Sequence, residues 1–436
     1  MLPAIDILFL PSFDDGGCPG CERCTPWGPV YVELAQEQAA QVRKYHPNCR
    51  LWLAQQGLSA GDTKVLMAWL DRERPEWVEG VACGPFSEVM TFNDGARPDS
   101  RLSLEEYPRS GTVSGAVNRL RAVLPGQYRL ILYPDETHTY RCQYPVVGMD
   151  PVVMYVWGRE DGPAPRIREM CAKHAATSPA SDGTAPYSEG DTDDANKIVW
   201  SARSWNPELT AEEIAYKYAH WFFGPDCATD AAEMILIMEE VLNRPLYGNE
   251  GVKRARSLLG ACEAQQPDIL NKWRWLNLRV GILMLEYIQR VMVRDRELLA
   301  ESRYRVAVWR HSLDPIPGLR KTIHFFERRF SETDGMLREI VWTRDRLFEI
   351  HRLAIRGVAK LQNSYMKIDV LLEEWRSVLE RLERGELSDY PERHKTLMAP
   401  LLSIEFAFEQ GFRGVQIVDD LQEFAWEKGK TVWSWQ

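Results

Sequence analysis

The residues best equipped for chemistry stand between Ile5 and Gly28, in IDILFLPSFDDGGCPGCERCTPWG. An apolar run, Ile5 to Leu10, gives way at Pro11 to two adjacent carboxylates, Asp14 and Asp15, and then to glycines, cysteines and Trp27. Neighbouring carboxyl groups can divide acid–base labour. One, stripped of water so that its pKa rises, donates a proton to a leaving oxygen, while the other holds substrate or stabilises positive charge. The same DDGG also satisfies the geometry of a tight turn. Cys18, Cys21 and Cys24 have the two-residue spacing with which thiolates wrap a zinc or iron ion. A fourth ligand would have to come from Cys49, Cys142 or His46. The alternative is a thiol-packed loop, and the expectation is no metal and no organic cofactor.

A second constellation is Tyr133, Asp135, Glu136 and His138, with Arg141 just beyond. Polar groups at a strand exit suit sugar hydroxyls, and Arg141 suits a ligand carboxylate; the plainer explanation is a solvated loop with one surface ion pair. In a third, Tyr187, Ser188 and Glu189 precede Gly190, and Asp191, Asp193 and Asp194 follow. Acids in a first helical turn are favoured by the helix dipole, and Asp193 with Lys197 is an i,i+4 pair. Glu189 lies before the helix and stands as a catalytic or ligand-binding carboxylate. Trp27, Gln55 and Asp194 complete the candidate substrate-binding set. Among the 16 tryptophans, Trp27, Trp52, Trp157 and Trp205 fall near the expected mouth. Trp273, Trp275, Trp342 and Trp375 are expected in a helical core.

These side chains need a scaffold that gathers several loops. Apolar runs predict strands near 5–10, 50–54, 77–83, 128–132 and 183–187, and helical periodicity predicts helices at 30–45, 63–72 and 113–124. Thr192 is expected to cap a helix, and Thr210 with Glu213 makes a capping box. Beyond it, long helices open at Pro267-Asp268 and at Ser331 with Asp334, the latter running towards 383, with breaks or an antiparallel bundle expected. Strands alternating with helices indicate a parallel sheet with right-handed crossovers, whose sites lie at the C-terminal strand ends. The fold class is therefore α/β: a (β/α) TIM-type barrel portion over 1–206, followed by an all-α domain over 207–436. Five strands fall short of the eight of a closed barrel. Three βα units lie upstream, the sheet stays open, or another subunit completes it.

Bulk properties narrow the partners. The 436 residues carry a net charge of −10, which argues against binding a phosphate backbone. No run approaches the ~18 apolar residues of a membrane span, and no basic segment precedes the first apolar run, as a signal peptide requires. Nine cysteines are an odd count spread over a long chain, so a soluble protein of a reducing, cytoplasmic compartment is expected.

In order, FDDGGCxxCxxCxPWG, YHP before a strand, YPDETHTYRCQYPV and PYSEGDTDDANKIVWSARSWNPELTAEEIA resemble uncharacterised bacterial (β/α)8 glycoside hydrolases related to hexosaminidases and α-glucuronidases. The similarity spans roughly residues 5–225. It implies that the run Ile5 to Leu10 is the fourth barrel strand, and that Asp14 and Asp15 occupy the place of an Asp-Glu pair. Asp15 would then be the general acid and Asp14 the carboxylate that orients the substrate. The resemblance also implies barrel strands upstream of this stretch, without which the chain could be inactive.

The expected activity is hydrolysis of a glycosidic bond in an oligosaccharide or glycoside, with Asp14, Asp15 and Glu189 as catalytic carboxylates. The rival is a non-catalytic carbohydrate-binding or assembly protein with a remnant barrel. Either reading leaves a homo-oligomer or a missing N-terminal segment as the expected source of the remaining barrel wall.

Overall fold

The computed structural model describes residues 4–11, 21–84, 115–139, 144, 146, 148–158, 162–188, 192–309, 312, 314–361, 368–387, 395–396 and 401. Among them, five short apolar runs form strands β1 (Ile7–Leu10), β2 (Arg50–Ala54), β3 (Val78–Cys83), β4 (Arg129–Leu132) and β5 (Gly183–Thr184). They pair in parallel, in the order β1-β2-β3-β4-β5. Because the order never reverses, each right-handed crossover steps the same way and sets its helix on the same face. That is barrel-like construction; a doubly wound sheet reverses at a switch point.

The sheet is curled into a half-barrel. Phe9 of β1 and Tyr133, just past β4, touch edge to face with ring centroids 5.2 Å apart. In a flat sheet their strands would stand about 14 Å apart, three strand spacings. On the outer face Leu51, Leu53, Val81, Cys83, Leu130 and Leu132 form one core with residues such as Tyr31, Ala35, Leu66, Leu70, Val117 and Leu120. The latter come from α1 (Trp27–Arg43), α2 (Ala60–Glu73) and α3 (Gly115–Val123). The inner face takes the alternate residues, so β2 from Leu51 and β3 from Gly80 read as unbroken apolar runs to their C-terminal ends, as strands buried on both faces do. Gly80 is required there: a Cβ would lie 2.1 Å from the Arg129 carbonyl oxygen and 2.5 Å from the Trp52 ring.

Helix starts differ from expectation for identifiable reasons. Ser59 and Asp62 form a capping box, so α2 begins at Ala60. The Asp62 carboxylate also accepts the Gly28 amide at 2.6 Å, which ties the first turn of α1 to that of α2. β5 is shorter than predicted, but its pairing with β4 runs on: the Ala185 and Tyr187 amides donate to the Leu132 and Pro134 carbonyls at 2.7 and 2.8 Å, and Tyr187 bridges to Asp135. Pro186 stands between them, where no N–H toward β4 is needed. Two further helices, α4 (Pro151–Trp157) and α5 (Ile167–Thr177), were not predicted. α6 (Asp194–Trp205) starts after Asp193 and not after Thr192; the Asp193 side chain makes no capping bond, because its carboxylate is engaged elsewhere, as shown below.

The chain forms two compact units, one of residues 1–147 and 165–218, the other of 148–164 and 219–436. The first holds the sheet and the start of α7 (Ala211–Phe223), where Thr210 and Glu213 make the expected reciprocal bonds. The rest is mostly helical. Here α8 (Ala228–Leu242) packs on α9 (Glu250–Gln265), and α10 (Trp273–Trp309) packs on α9 and on α12 (Asp334–His351). α11 (Ile316–Ser331) and α13 (Ile368–Glu383) share a core around Phe326 and Trp375. The expected helix towards 383 breaks where Arg352 turns left-handed at φ 62°. Trp275 and Trp375 are buried as expected, but Trp342 is half exposed. Trp157 is no mouth residue: it is buried in the second unit, donating to the Pro163 carbonyl. No helix among the described residues is long and apolar enough to cross a membrane.

Candidate active site at the strand ends

Beyond the C-terminal end of β4 the chain continues as Tyr133-Pro134-Asp135-Glu136-Thr137-His138-Thr139, and Asp135 through Thr139 are all buried. A solvated loop is thereby ruled out for this stretch. Two backbone devices hold it. The Tyr187 amide donates to the Pro134 carbonyl at 2.8 Å, prolonging the β4–β5 pairing. Gly84, at φ 127°, lets β3 end against Tyr133, whose carbonyl oxygen would lie 2.0 Å from any Cβ there.

Asp135 closes a local turn. Its carboxylate accepts the Thr137 and His138 amides at 3.1 and 3.2 Å and meets His138 Nδ1 at 2.8 Å. The imidazole is thus oriented by a carboxylate on its own loop, and its ring stacks on Tyr187 with centroids 6.2 Å apart. Tyr187 in turn packs on Tyr133 at 5.4 Å. Tyr133, His138 and Tyr187 therefore form one aromatic group at the sheet's C-terminal edge.

A second hub lies at the start of α6. Asp193, buried, accepts from Ser188 Oγ at 3.2 Å, pairs with Lys197 Nζ at 3.1 Å and accepts a short bond from the Thr137 hydroxyl. Asn196, also buried, donates from Nδ2 to the Glu136 carbonyl at 3.1 Å and accepts the Arg166 amide at 2.7 Å. Arg166 is enclosed, with Nη1 donating to the Tyr144 carbonyl and lying 3.6 Å from Glu169.

Within this frame stands Glu136. It is 0% exposed, and neither carboxyl oxygen has a hydrogen-bond partner among the described residues. Burial pushes its pKa from 4.5 to about 9, with Asp193 adding to the rise and Lys197 and Arg166 opposing it. At neutral pH it is a protonated acid, able to donate. Two further strand-end groups carry unused capacity. Gln55 Oε1, past β2, and Trp27 Nε1, at the start of α1, are buried without partners among the described residues. Gln55 is fixed by its Nε2 donating to Thr63 Oγ1 at 3.2 Å.

Of the sequence candidates, Asp135, Glu136, His138, Tyr133 and Tyr187 form one cluster. Asp194 turns away, its carboxylate accepting the Tyr218 hydroxyl at 2.7 Å. Trp205 is 91% exposed at the last residue of α6, the end remote from the strand exits. Asp14, Asp15, Cys18, Arg141 and Glu189 lie outside the described residues. Cys21 and Cys24 share a turn, His46 Nδ1 accepts the Ile5 amide, and no metal-holding group of three His, Cys, Asp or Glu occurs among the described residues. Sequence reasoning missed Arg166 and Asn196 and gave Asp193 only a role in helix stability. The available signal was Asp193 and Asn196 at i,i+3 beside the apolar Val199 and Trp200, which places polar groups on a buried helix face.

No protein-family model matches the chain, and no curated protein or solved structure matches it.

Proposed function

We propose that the chain hydrolyses a glycosidic bond, of hexosaminidase or glucuronidase type, at the C-terminal edge of its half-barrel, with Glu136 as proton donor. The observation that carries this reading is the enclosed Glu136 carboxyl past the end of β4, both oxygens without a partner among the described residues, where burial pushes its pKa up to about 9. Cleavage of a glycoside needs an acid that still holds its proton near neutral pH, and a desolvated carboxyl meets that need. Parallel (β/α) sheets present their chemistry at this edge. Aromatic rings such as Tyr133 and Tyr187 can cover a sugar's apolar face.

The role of proton donor thus moves from Asp15, where the family resemblance puts it, to Glu136, while Asp14 keeps the orienting role that the resemblance implies and Asp15 takes a charge-stabilising one. With a β-linked N-acetylhexosamine, the substrate's own acetamido oxygen would serve as nucleophile, an accepted exception among glycosidases. The test is a panel of aryl hexosaminides and glucuronides assayed with the native chain, Glu136→Gln and Asp15→Asn. Aglycone release abolished by Glu136→Gln supports the assignment. Release lost only in Asp15→Asn would return the acid to Asp15, and no release on any substrate would remove the reading.

One observation favours a second reading, a non-catalytic binding or assembly protein. Beside β1, which pairs on one side only among the described residues, runs a groove of about 720 Å3 lined by Leu8, Leu10, Gln38, Gln41 and Val42. Saturable oligosaccharide binding without bond cleavage, together with a solution mass above one chain, would select it.

A further inference from the structure

A second cluster of unsatisfied groups lies between α5 and α6, separate from the strand-end site. His174 of α5 is buried, and its Nε2 stands 3.4 Å from Ser204 Oγ of α6. Ser204 Oγ lies 3.2 Å from Thr184 Oγ1 of β5. With the hydroxyls donating in that direction, Thr184 to Ser204 to Nε2, the imidazole proton sits on Nδ1. Nδ1 has no partner among the described residues. Trp200, one turn before Ser204 on α6, is wholly buried, its ring 5.7 Å from that of His174. Its Nε1–H has no partner among them either.

Arg203 lies a turn from Trp200 on the same helix face. It donates from Nη1 to the Leu209 carbonyl at 2.5 Å, but its buried Nε has no partner and it meets no carboxylate among the described residues. Its charge reaches His174: together with burial, which is the larger cause, it holds that imidazole below its usual pKa. The cluster therefore presents three N–H donors and an uncompensated cation. A water there could accept only two of these bonds and would leave the third donor unmet. An anion accepts from all three donors and neutralises the guanidinium.

We propose that Trp200 Nε1–H, Arg203 Nε–H and His174 Nδ1–H bind a small inorganic anion of about chloride size. The site is distinct from the strand-end centre: Asp193 and Arg203 are ten residues apart along α6, roughly 15 Å at the helical rise.

The test is thermal unfolding of the full chain in sodium chloride against sodium gluconate at equal ionic strength, with sodium phosphate as a third arm. Crystals soaked in bromide are examined for anomalous scattering. The expected result is a saturable rise in Tm with chloride that is lost in Arg203→Gln and in Trp200→Phe, and a bromide peak within hydrogen-bond distance of Trp200 Nε1. A saturable rise with phosphate alone would support the same site with an oxyanion as occupant. Equal Tm in all three salts, with water and no bromide between the helices, overturns the proposal; the bromide measurement needs no variant, so misfolding of a mutant does not leave it undecided.

Discussion

A carboxyl group with both oxygens buried and unbonded costs about 1–3 kcal/mol for each hydrogen bond forgone, and far more if ionised. Glu136 avoids the larger cost by keeping its proton. The consequence for stability has a definite sign. The unfolded chain releases this proton around 4.5, the folded chain only at about 9. Between those values the folded state binds one proton more, so the group's contribution is complete below pH 4.5, declines as pH rises and is gone above about 9. The slope is at most about 1.4 kcal/mol per pH unit. Urea unfolding should show the native chain losing stability from pH 6 to pH 8, and Glu136→Gln should flatten that decline; an unchanged slope would mean that Glu136 is ionised in the folded protein. Sequence pattern alone did not reveal this group's state. Asp135-Glu136-Thr137-His138 is polar at every position and has the composition of a surface loop, because its burial is imposed by partners on β5 and α6 that are remote in sequence.

At the scale of elements, Asn196 joins the β4 exit to the start of α5 through two buried bonds, to the Glu136 carbonyl and the Arg166 amide. Asn196→Ala leaves both backbone groups buried and unpaired, a loss of about 2–4 kcal/mol, measurable as a lower midpoint in urea at unchanged m. Asn196→Asp keeps the acceptor for Arg166 and should recover part of it. Gly80 is the corresponding fixed point of the sheet. Gly80→Ala drives a methyl into the Arg129 carbonyl and the Trp52 ring, so a loss of about 1–3 kcal/mol or more is expected, read in the same experiment. Strands β1 to β4 were legible as apolar runs closed by Pro, Gly or polar groups. β5 was marginal because Gly183 and Thr184 carry little hydrophobic signal. Helix α4 had a readable start, Asp150 followed by Pro151, and the Asp150 carboxylate does accept the Val152 amide at 3.0 Å, but only seven residues follow, too few to establish a period.

For the whole molecule, composition located the change from alternating to helical structure near 206, whereas the compact units interleave, with 148–164 belonging to the second and 207–218 to the first. Periodicity reports local structure, and it cannot say which core a segment joins. Ile214, Ala215 and Tyr218 are buried, and Tyr218 bonds Asp194. A chain ending at 206 should therefore be cut by protease faster than one ending at 218; equal rates would place the start of α7 outside the first unit's stable core. The barrel-like order and curl of the five strands bring the β1 and β4 exits together, as Phe9 and Tyr133 show, and on that proximity the proposed centre depends. Its most direct test is kcat/KM for aryl-glycoside hydrolysis measured from pH 5 to pH 10 with the native chain and with Glu136→Gln. The account predicts a native profile that falls on an alkaline limb near pH 9, set by loss of the Glu136 proton, and a variant slower by about 10²–10⁴-fold that lacks that limb. Equal rates and superimposable profiles for the two proteins would contradict it.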